Sequence, residues 1–248
     1  TDLVDAAFEA LTLLPVAIHL DTGAVFPRHT NMKVARVGTA PMLSLTQPPL
    51  SALELILKRA FDIVVASVAL IVLSPVFLGV SLCIWLESGR PVFFTQNRLG
   101  YNQRRFRIIK FRSMNAMDDG PNVRQASGND ARITRVGRFI RRWNLDELPQ
   151  LMNVLKGDMS IVGPRPHAVA HDIMFEQRIM RYPRRLNVKP GMTGWAQVNG
   201  LRGETDTDEK MRQRVEFDLH YIDNWSIMLD VYIMWLTVTS PKAYRNAV

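Results

Sequence analysis

The 248-residue sequence predicts a small mixed α/β fold that associates with a membrane. Three observations lead to this prediction. Residues 63–86 form an uncharged apolar run, short segments rich in β-branched and aromatic residues follow it, and two later segments repeat apolar residues at helical spacing. A hydrophobic content of 47% is enough for a core in a chain of this length. We therefore expect a broken membrane helix and interfacial amphipathic helices around small sheets.

The first 50 residues differ from the rest and indicate the end of an upstream domain followed by a linker. Residues 4–14 predict a short helix, residues 16–20 a strand, and residues 38–49 a proline-containing connector. The chain opens with Thr1 rather than Met, so we expect the native start to lie upstream.

The apolar run at 63–86 would measure about 36 Å as one straight helix, against a bilayer core of about 30 Å. Ser74-Pro75 interrupts the run at its midpoint, because proline lacks an N–H and clashes with the preceding turn. Basic residues flank both ends, which disfavours moving either end across a membrane. The nearest are Lys58, Arg59 and Arg90. We expect residues 51–90 to form a re-entrant hairpin; a kinked span that crosses the bilayer is the alternative.

The segments after the apolar run predict a strand pair and then a basic helix. Residues 91–96 and 106–112 have strand character and are joined through a turn at Gly100. Apolar residues then recur at helical spacing from Ile133 to Trp143, and arginines occupy the other positions. Such a helix is typical of an anionic lipid surface. The alternative is an ordinary surface helix with a solvated basic face.

The C-terminal segment from Trp225 to Leu236 also has helical spacing. Its aromatic residues are of the type found at membrane interfaces. The segment is equally typical of a core helix, in which case the carboxylate of Asp230 needs a partner.

Positive charge is concentrated in one part of the chain. The net charge is +8, and residues 98–142 alone carry +9 from twelve Arg or Lys against three Asp. Such a field indicates an anionic partner: nucleic acid, anionic lipid or a phosphorylated small molecule. The neighbouring apolar run favours the last two. The single Cys83 excludes an internal disulfide or a cysteine-based zinc site.

Asp146 and Glu147 are the strongest candidates for chemistry. Adjacent carboxylates at a helix start are usually caps, and Asn144 with Glu147 has capping-box spacing. However, an aspartate can also attack phosphorus, and a neighbouring glutamate can bind Mg²⁺. Cations that could balance phosphate charge occur nearby or in rigid contexts. They are Arg141, Arg142 and Arg165, the last in a Gly-Pro-Arg-Pro turn, together with Lys110 and Arg112. These last two are two residues apart on one predicted strand, so we expect them on the same face.

Two further motifs are weaker. His167 and His171 have the spacing of a helical metal pair, but no third ligand is apparent, so we expect surface or interface histidines. The glycine-punctuated segment 191–200 suits a turn that packs closely or binds a nucleotide or sugar. Its polar and aromatic candidates are Trp195, Gln197 and Asn199. Walker loops, dinucleotide fingerprints, nucleophile elbows and zinc-finger spacings do not occur in the sequence.

Eight ordered motifs over about residues 58–240 resemble the bacterial sugar transferases, the monotopic phosphoglycosyl transferases. They are Lys58-Arg-Ala-Phe-Asp, Ser74-Pro, Phe94-Thr-Gln-Asn-Arg, Lys110-Phe-Arg-Ser-Met, Leu145-Asp-Glu-Leu-Pro-Gln-Leu, Gly157-Asp-Met-Ser-Ile-Val-Gly-Pro-Arg-Pro, Lys189-Pro-Gly-Met-Thr-Gly-Trp-Ala-Gln-Val-Asn-Gly and Glu216-Phe-Asp-Leu. The resemblance implies transfer of a sugar 1-phosphate from a UDP-sugar to polyprenyl phosphate with release of UMP. It also implies Mg²⁺ and a covalent intermediate at the cytoplasmic face of the bacterial inner membrane.

The resemblance also assigns roles to residues. Asp146 would attack the sugar-bearing phosphorus, Glu147 would bind Mg²⁺, and Arg165 would hold phosphate. Asp218 would belong to the polar wall of the site. Lys58, Arg59 and Asp62 would anchor the membrane helix, and Ser74-Pro75 would turn it back. One departure is Arg185-Leu186, where many relatives have Arg-His.

Features near the C-terminus resemble the branch of the family that uses UDP-glucose, whose members carry a Rossmann-like domain before the transferase. Residues 1–50 would then be a remnant of that domain, 51–90 the membrane hairpin and 91–248 the catalytic domain. The expected partners are a UDP-sugar, polyprenyl phosphate and membrane lipid, without nucleic acid. The identity of the sugar and a homo-oligomeric state stay open.

Two rival functions follow from the same residues. A metal-assisted polyprenyl diphosphate hydrolase would use the same carboxylates and cations. A non-enzymatic basic protein that binds membranes or nucleic acid would need only the positive charge, and it would leave the Asp146-Glu147 pair unexplained.

Overall fold

The structure, a computed structural model, describes residues 33–37, 40–44, 49–115, 130–203 and 207–241. The helix and strand predicted at 4–14 and 16–20 lie outside the described residues. The chain divides into two units, Thr1–Pro48 and Pro49–Val248.

The described part of the N-terminal unit is a β-hairpin. Strands β1 (Lys33–Val37) and β2 (Ala40–Ser44) pair antiparallel, with Val37 opposite Ala40. The connector predicted at 38–49 is therefore wrong in part, because it contains β2. Pro41 suggested a loop, but both strands of a two-stranded sheet are edges, where a missing N–H is tolerated.

A bent pair of helices opens the second unit; the short name hairpin denotes this pair, Ala52–Val72 and Ser74–Ser88, without implying a membrane topology. Helix α1 (Ala52–Val72) begins with a capping box, in which Ser51 and Glu54 exchange side chain–backbone hydrogen bonds. Helix α2 (Ser74–Ser88) follows after Leu73, with proline in its first turn, and the Ser74 hydroxyl donates to the Ile71 carbonyl at 2.8 Å.

The helix axes bend by 61° at this break. Within the described ranges, no single helix has the length and apolar composition for a membrane crossing. Together, α1 and α2 meet that test as a bent pair, which suits either a broken span or a re-entrant loop.

Two small sheets follow the hairpin. Strands β3 (Phe93–Leu99) and β4 (Arg105–Phe111) pair antiparallel, with Phe93 opposite Phe111, which confirms the predicted strand pair. Strands β5 (Ser160–Val162) and β6 (Gly191–Thr193) pair in parallel. The remaining α-helices are α3 (Arg135–Arg142), α4 (Gln150–Lys156), α5 (Val169–Arg178), α6 (Trp195–Val198), α7 (Asp208–Asp223) and α8 (Ile227–Thr239). The fold is thus mixed α/β and rich in helix, as predicted.

The hairpin is part of the core of this unit. Ala66 of α1 is buried in the main cluster beside residues of α4, β5, α7 and α8, such as Val154, Val162 and Ile233. Val80 and Ile84 of α2 form a second cluster with Phe111 of β4 and Ile140 of α3. The hairpin therefore shares its inner face with the rest of the unit.

Three polar residues of α1 join it to the other elements. The Lys58 ammonium donates to the Asp230 carboxylate at 2.8 Å and to the Val162 carbonyl at 3.0 Å. The Arg59 guanidinium donates to the carbonyls of Val154 and Leu155 at the end of α4. Asp62 accepts from the Ser160 hydroxyl at 2.9 Å and from the Ile161 amide at 3.0 Å. These bonds fix the base of the hairpin to α4, β5 and α8.

Helix α8 combines a core role with an exposed aromatic face. Asp230 is fully buried and has the partners that such a position requires: Lys58, the Tyr221 hydroxyl at 2.8 Å and the Trp225 indole at 3.2 Å. On the same helix, Tyr232 and Trp235 are about half exposed. The core-helix interpretation of this segment is thus confirmed, and the membrane-interface role of its exposed aromatic face stays a prediction.

Candidate active site

Asp146 and Glu147 lie on a 3₁₀ turn, Leu145–Glu147, between α3 and α4. The turn starts at Asn144, whose backbone is left-handed with φ of 54°. The capping box predicted for Asn144 and Glu147 is wrong: Asn144 makes no side-chain cap and accepts a hydrogen bond from Arg202 at 2.7 Å. Helix α4 starts only after Pro149. The two carboxylates are therefore not occupied as helix caps.

Glu147 is held by cations from three separate segments. Arg165 makes a bidentate pair with its carboxylate at 3.0 and 2.5 Å. Lys110 of β4 lies 2.9 Å away, and Arg202 lies 3.5 Å away. Burial favours a protonated carboxyl, but these cations together outweigh it and hold the pKa of Glu147 well below its usual range. Glu147 is thus a permanent carboxylate.

Asp146 has the opposite environment. It is half-buried, and within the described parts of the chain its carboxylate has no hydrogen bond or ion pair. Burial and the charge of Glu147 raise the pKa of Asp146 to about 6, against the opposing effect of Lys110, Arg141 and Arg165. Neighbouring carboxylates with divergent pKa values are a common mark of divided catalytic roles. Asp146 is the carboxylate that remains available to react.

Helix α3 positions the turn from its N-terminal side. The Thr134 hydroxyl accepts from the Gly137 amide, and the Glu87 carboxylate at the end of α2 accepts from the Arg135 amide at 2.8 Å. Gly137 is required here, because a Cβ at this position would lie 2.0 Å from the Ser113 carbonyl oxygen. The helix is thereby docked between α2 and β4.

The arginines of α3 have different positions. Arg141 lies near Asp146 and lowers its pKa, whereas Arg142 is exposed. Phe139 and Trp143 are exposed by 58% and 61% beside these cations. The predicted basic helix therefore presents both positive charge and aromatic surface.

The turn that carries Arg165 is locked to β6 by close backbone packing. The Gly163 amide donates to the Thr193 carbonyl, and the Gly191 amide donates to the Pro164 carbonyl, both at 2.9 Å. A Cβ on Gly191 would lie 2.1 Å from the Gly163 nitrogen, so only glycine permits this approach. The glycine-punctuated segment thus supports the Pro-Arg-Pro turn.

Other predicted site residues have local structural partners. Arg112 donates to the carbonyls of Ser88 and Gly89 at the end of α2, so it does not join Lys110 at Glu147. The predicted shared use of Lys110 and Arg112 is therefore not observed.

The predicted site residues in or next to α6 and α7 contact residues close to them in the fold and do not contact Glu147. Trp195 stacks near His220 and Tyr232, with ring centroids 6.1 and 6.2 Å away. Gln197 donates to the Met192 carbonyl, and Asn199 donates to the Trp195 carbonyl. Asp218 is buried and bonds to Arg185, which donates to the backbone of Arg165. Asp218 thus lies one layer behind Arg165.

His167 is buried, so the expectation of a surface or interface position is wrong for it. It precedes α5, and therefore it does not share a helical turn with His171. Its ring contacts the Tyr182 hydroxyl at 2.7 Å. Spacing alone suggested a helix, but Pro166 delays the helix start.

Arg202 was not predicted as a site residue, although it reaches both Asn144 and Glu147. The sequence around it, Gly200-Leu-Arg-Gly, indicates a turn and nothing more. A contact with a distant segment has no signature in such a short pattern.

The donor set limits how a metal ion could be held. Among the described residues, no three His, Cys, Asp or Glu side chains form a metal-binding group. Mg²⁺ usually keeps one or two carboxylates and takes its other ligands from phosphate and water. Glu147 fits that pattern if a substrate phosphate and water complete the shell and a cation on Glu147 gives way.

Comparison with known proteins agrees with the motifs. A family model described as bacterial sugar transferase matches residues 53–242. The chain is 52% identical over 206 residues to the UDP-glucose:undecaprenyl-phosphate glucose-1-phosphate transferase of Escherichia coli (strain K12), which covers 83% of this chain and 44% of that protein. It is 48% identical over 192 residues to the exopolysaccharide production protein PSS of Rhizobium leguminosarum bv. phaseoli, covering 76% and 96%.

A relative that acts on another sugar matches almost as well. The UDP-N-acetylgalactosamine-undecaprenyl-phosphate N-acetylgalactosaminephosphotransferase of Aeromonas hydrophila is 44% identical over 182 residues, which are 73% of this chain and 43% of that protein. The chain spans less than half the length of several relatives that it matches.

Proposed function

Since this chain belongs to the bacterial sugar transferase family, we propose that it transfers a sugar 1-phosphate from a UDP-sugar to undecaprenyl phosphate and releases UMP. Glucose 1-phosphate is the group we propose, in line with the activity for which the E. coli relative is named. The observation that carries the proposal is the Asp146-Glu147 pair, in which one carboxylate is committed to three cations and its neighbour is available. Such a product would begin the assembly of an exopolysaccharide or surface glycan.

In the first step, a carboxylate oxygen of Asp146 attacks the sugar-bearing phosphorus of the donor. The bond between that phosphorus and the bridging oxygen breaks, and UMP leaves with the electron pair. The product on the protein is an aspartyl phosphosugar. Lys110, Arg141 and Arg165 offset the repulsion between the anionic nucleophile and the diphosphate.

In the second step, an oxygen of undecaprenyl phosphate attacks the same phosphorus. The bond to Asp146 breaks, which regenerates the carboxylate and forms the lipid diphosphate sugar. One carboxylate thereby serves a water-soluble donor and a lipid acceptor in turn. Arg165 would hold phosphate in both steps once its pair with Glu147 opens, because a planar guanidinium suits phosphate as well as carboxylate.

We propose that Glu147 would hold Mg²⁺ together with the donor diphosphate. The ion would supply charge neutralisation for the leaving phosphate. We expect that EDTA abolishes UMP release and that added Mg²⁺ restores it.

A lipid acceptor requires the site to lie at a membrane surface. The exposed apolar side chains of α1 and α2 suit burial in one leaflet of the bacterial inner membrane, and the basic face of α3 suits anionic headgroups on the cytoplasmic side. We favour a re-entrant hairpin over a kinked span, because Lys58, Arg59 and Arg90 flank it on both sides.

The decisive experiment compares wild type with Asp146→Asn. We expect the variant to bind membranes normally but to lose UMP release and labelling by a UDP-sugar with a radioactive sugar. Asp223→Asn, a change at an exposed ion pair with Arg184, is the matched control and should retain full activity. An active Asp146→Asn variant would contradict the covalent mechanism.

The products separate the rival functions. Equimolar UMP and lipid-linked sugar support the transferase. Release of inorganic phosphate from polyprenyl diphosphate would indicate the hydrolase, and salt-dependent binding of nucleic acid without turnover would indicate a basic binding protein.

A further inference from the structure

We infer that a buried polar cluster centred on His167 positions the two arginines, Arg165 and Arg202, that clamp Glu147. The cluster lies behind the site, one layer away from the carboxylates. The inference rests on the proposed function only for its kinetic test.

The centre of the cluster is a hydrogen-bonded chain from His167 through Tyr182 to Asp172. The Tyr182 hydroxyl donates to Asp172, with the two oxygens 2.5 Å apart, and it lies 2.7 Å from Nδ1 of His167. The Tyr182 hydroxyl thus links the His167 ring to the Asp172 carboxylate. All three side chains are at least nine-tenths buried.

The other ring nitrogen of His167, Nε2, faces Arg214. Arg214 lies 3.2 Å from Nε2, and a guanidinium can only donate. Burial and the adjacent charges of Arg185 and Arg214 hold the pKa of His167 well below its usual range. The ring therefore stays neutral and lies between the guanidinium groups of Arg185 and Arg214.

The first arm of the cluster runs through Arg185 to the Arg165 turn. Arg185 donates to the buried Asp218 carboxylate at 2.7 Å and to the Arg165 carbonyl at 2.9 Å. Its third contact is with Nδ1 of His167 at 3.1 Å, and its guanidinium lies over the Tyr182 ring. Arg185 thus fixes the backbone from which Arg165 reaches Glu147.

The second arm runs through Arg214 to the loop that carries Arg202. One terminal nitrogen of Arg214 bonds to His167, and the other donates to the Gly203 carbonyl at 2.8 Å. Gly203 directly follows Arg202, which contacts Asn144 and Glu147. Both arms therefore end at the backbone of a residue that is, or adjoins, a Glu147 partner.

A purely structural reading explains this arrangement less well. Two buried arginines cost desolvation energy that well-packed apolar side chains would avoid. Each guanidinium also reaches across to a loop backbone, where a shorter side chain could not. Preorganised cations at the carboxylate are the benefit that such a cluster provides.

The test uses Arg185→Lys and Arg214→Lys. Lysine keeps the positive charge but has one terminal nitrogen, so it cannot contact both His167 and the loop carbonyl as each guanidinium does. Arg184→Lys, an exposed neighbour paired with Asp223, is the control. In hydrogen exchange of the detergent-solubilised chain, we expect Arg214→Lys to accelerate the amides of 200–203 at least fivefold and to leave those of 163–168 unchanged. Arg185→Lys should do the reverse.

Kinetics supply the second readout. Each variant should lower kcat/KM for UMP release by about 10- to 100-fold. A shift of about 1 Å in a positioning group can lower a rate by about 100-fold, even when the mutation is far from the reacting atoms. In a double variant with Arg202→Met, Arg214→Lys should cause no further loss of kcat/KM, because both changes act through the same arm. Arg185→Lys should instead multiply the loss that Arg202→Met causes.

His167→Gln and His167→Phe keep the inference testable if a lysine variant does not fold. Glutamine retains an acceptor near Nε2, so it should loosen 200–203 less than phenylalanine does. Unchanged exchange in both loops, or fully multiplicative kinetics for Arg202 with Arg214, would overturn the inference. A wild type that exchanges as expected but releases no UMP would instead contradict the proposed function.

Discussion

At the scale of single residues, the site separates two adjacent carboxylates by their partners. Glu147 has three cations, and Asp146 has none within bonding distance among the described residues. The nearby positive charge is thus paired with Glu147 and leaves the Asp146 carboxylate without a direct partner among the described residues. The identity of the two residues is less informative than the difference between their surroundings.

The raised pKa of Asp146 predicts a pH dependence of the first half-reaction. In the proposed first step only the carboxylate form of Asp146 can attack phosphorus, so UMP release without acceptor should rise about tenfold per pH unit below 6 and level off above about 7. Omitting the acceptor matters, because a phosphate monoester also ionises near pH 6. A burst rate that is flat from pH 5 to 7 would contradict the prediction.

The same shift predicts that Asp146→Asn stabilises the protein. The folded state holds a proton on Asp146 more tightly than the unfolded state does, since its pKa is about 6 rather than 3.8. Stability from this group is therefore present at low pH and lost as pH rises from about 4 to 6. At pH 7.5 the variant should be more stable by about 1 to 3 kcal/mol, and the gain should vanish below pH 4. Thermal unfolding of both proteins across this range measures it.

Residue roles were predictable only where local sequence determines them. Arg165 lies in a short Pro-Arg-Pro turn, and the Asp146-Glu147 pair is visible directly. Arg202 and the buried position of His167 depend on contacts between distant segments, which no local pattern encodes. The same reason explains Arg112, because strand spacing gives the face of a side chain but not its partner.

At the scale of elements, α1 acts as a core helix and as an apolar surface. Its inner face carries Lys58, Arg59 and Asp62, which bond to three other elements, and its outer face is apolar and exposed. The length of the apolar run predicted a membrane segment. The core role comes from Ala66 within the run and from charged residues that precede it.

Removing the charge of Lys58 should destabilise the fold. Lys58→Met leaves Asp230 buried without its ammonium partner, and breaking a buried pair in this way costs about 3 to 5 kcal/mol. Lys156→Met is the matched control, because Lys156 is 70% exposed and pairs only at the surface; its effect should stay below about 0.5 kcal/mol. Equal denaturation midpoints for the two variants would contradict the prediction.

Several elements with a clear repeating pattern were predicted, whereas helices α5 and α7 and the shortest strands were not. The β3–β4 pair, α3 and α8 follow from alternation and helical spacing over seven or more residues. Strands β5 and β6 have three residues each, too few for any periodicity, and they form because the Gly163 and Gly191 backbones pack against each other.

At the scale of the whole second unit, the exposed apolar side chains are the basis of the proposed membrane association. They belong mainly to α1 and α2, with aromatic contributions from α3 and α8. The largest exposures on the hairpin are those of Leu53, Ile56, Ile71, Val72, Leu78 and Leu86. Soluble surfaces rarely carry so many large apolar groups together.

Cysteine labelling tests the re-entrant topology. In a Cys83→Ala background, we expect Ala52→Cys and Arg90→Cys, both at exposed positions, to react with an impermeant maleimide from the cytoplasmic face only. Labelling of the two positions from opposite faces would establish a crossing helix instead.

The shared inner face of the hairpin has a practical consequence for making the protein in quantity. Deleting residues 51–90 would take Ala66, Val80 and Ile84 out of two cores and would leave Asp230 without Lys58. A protein shortened in this way for aqueous expression should therefore misfold. A water-soluble version has to keep the hairpin and exchange its outward-facing leucines, isoleucines and valines for polar residues.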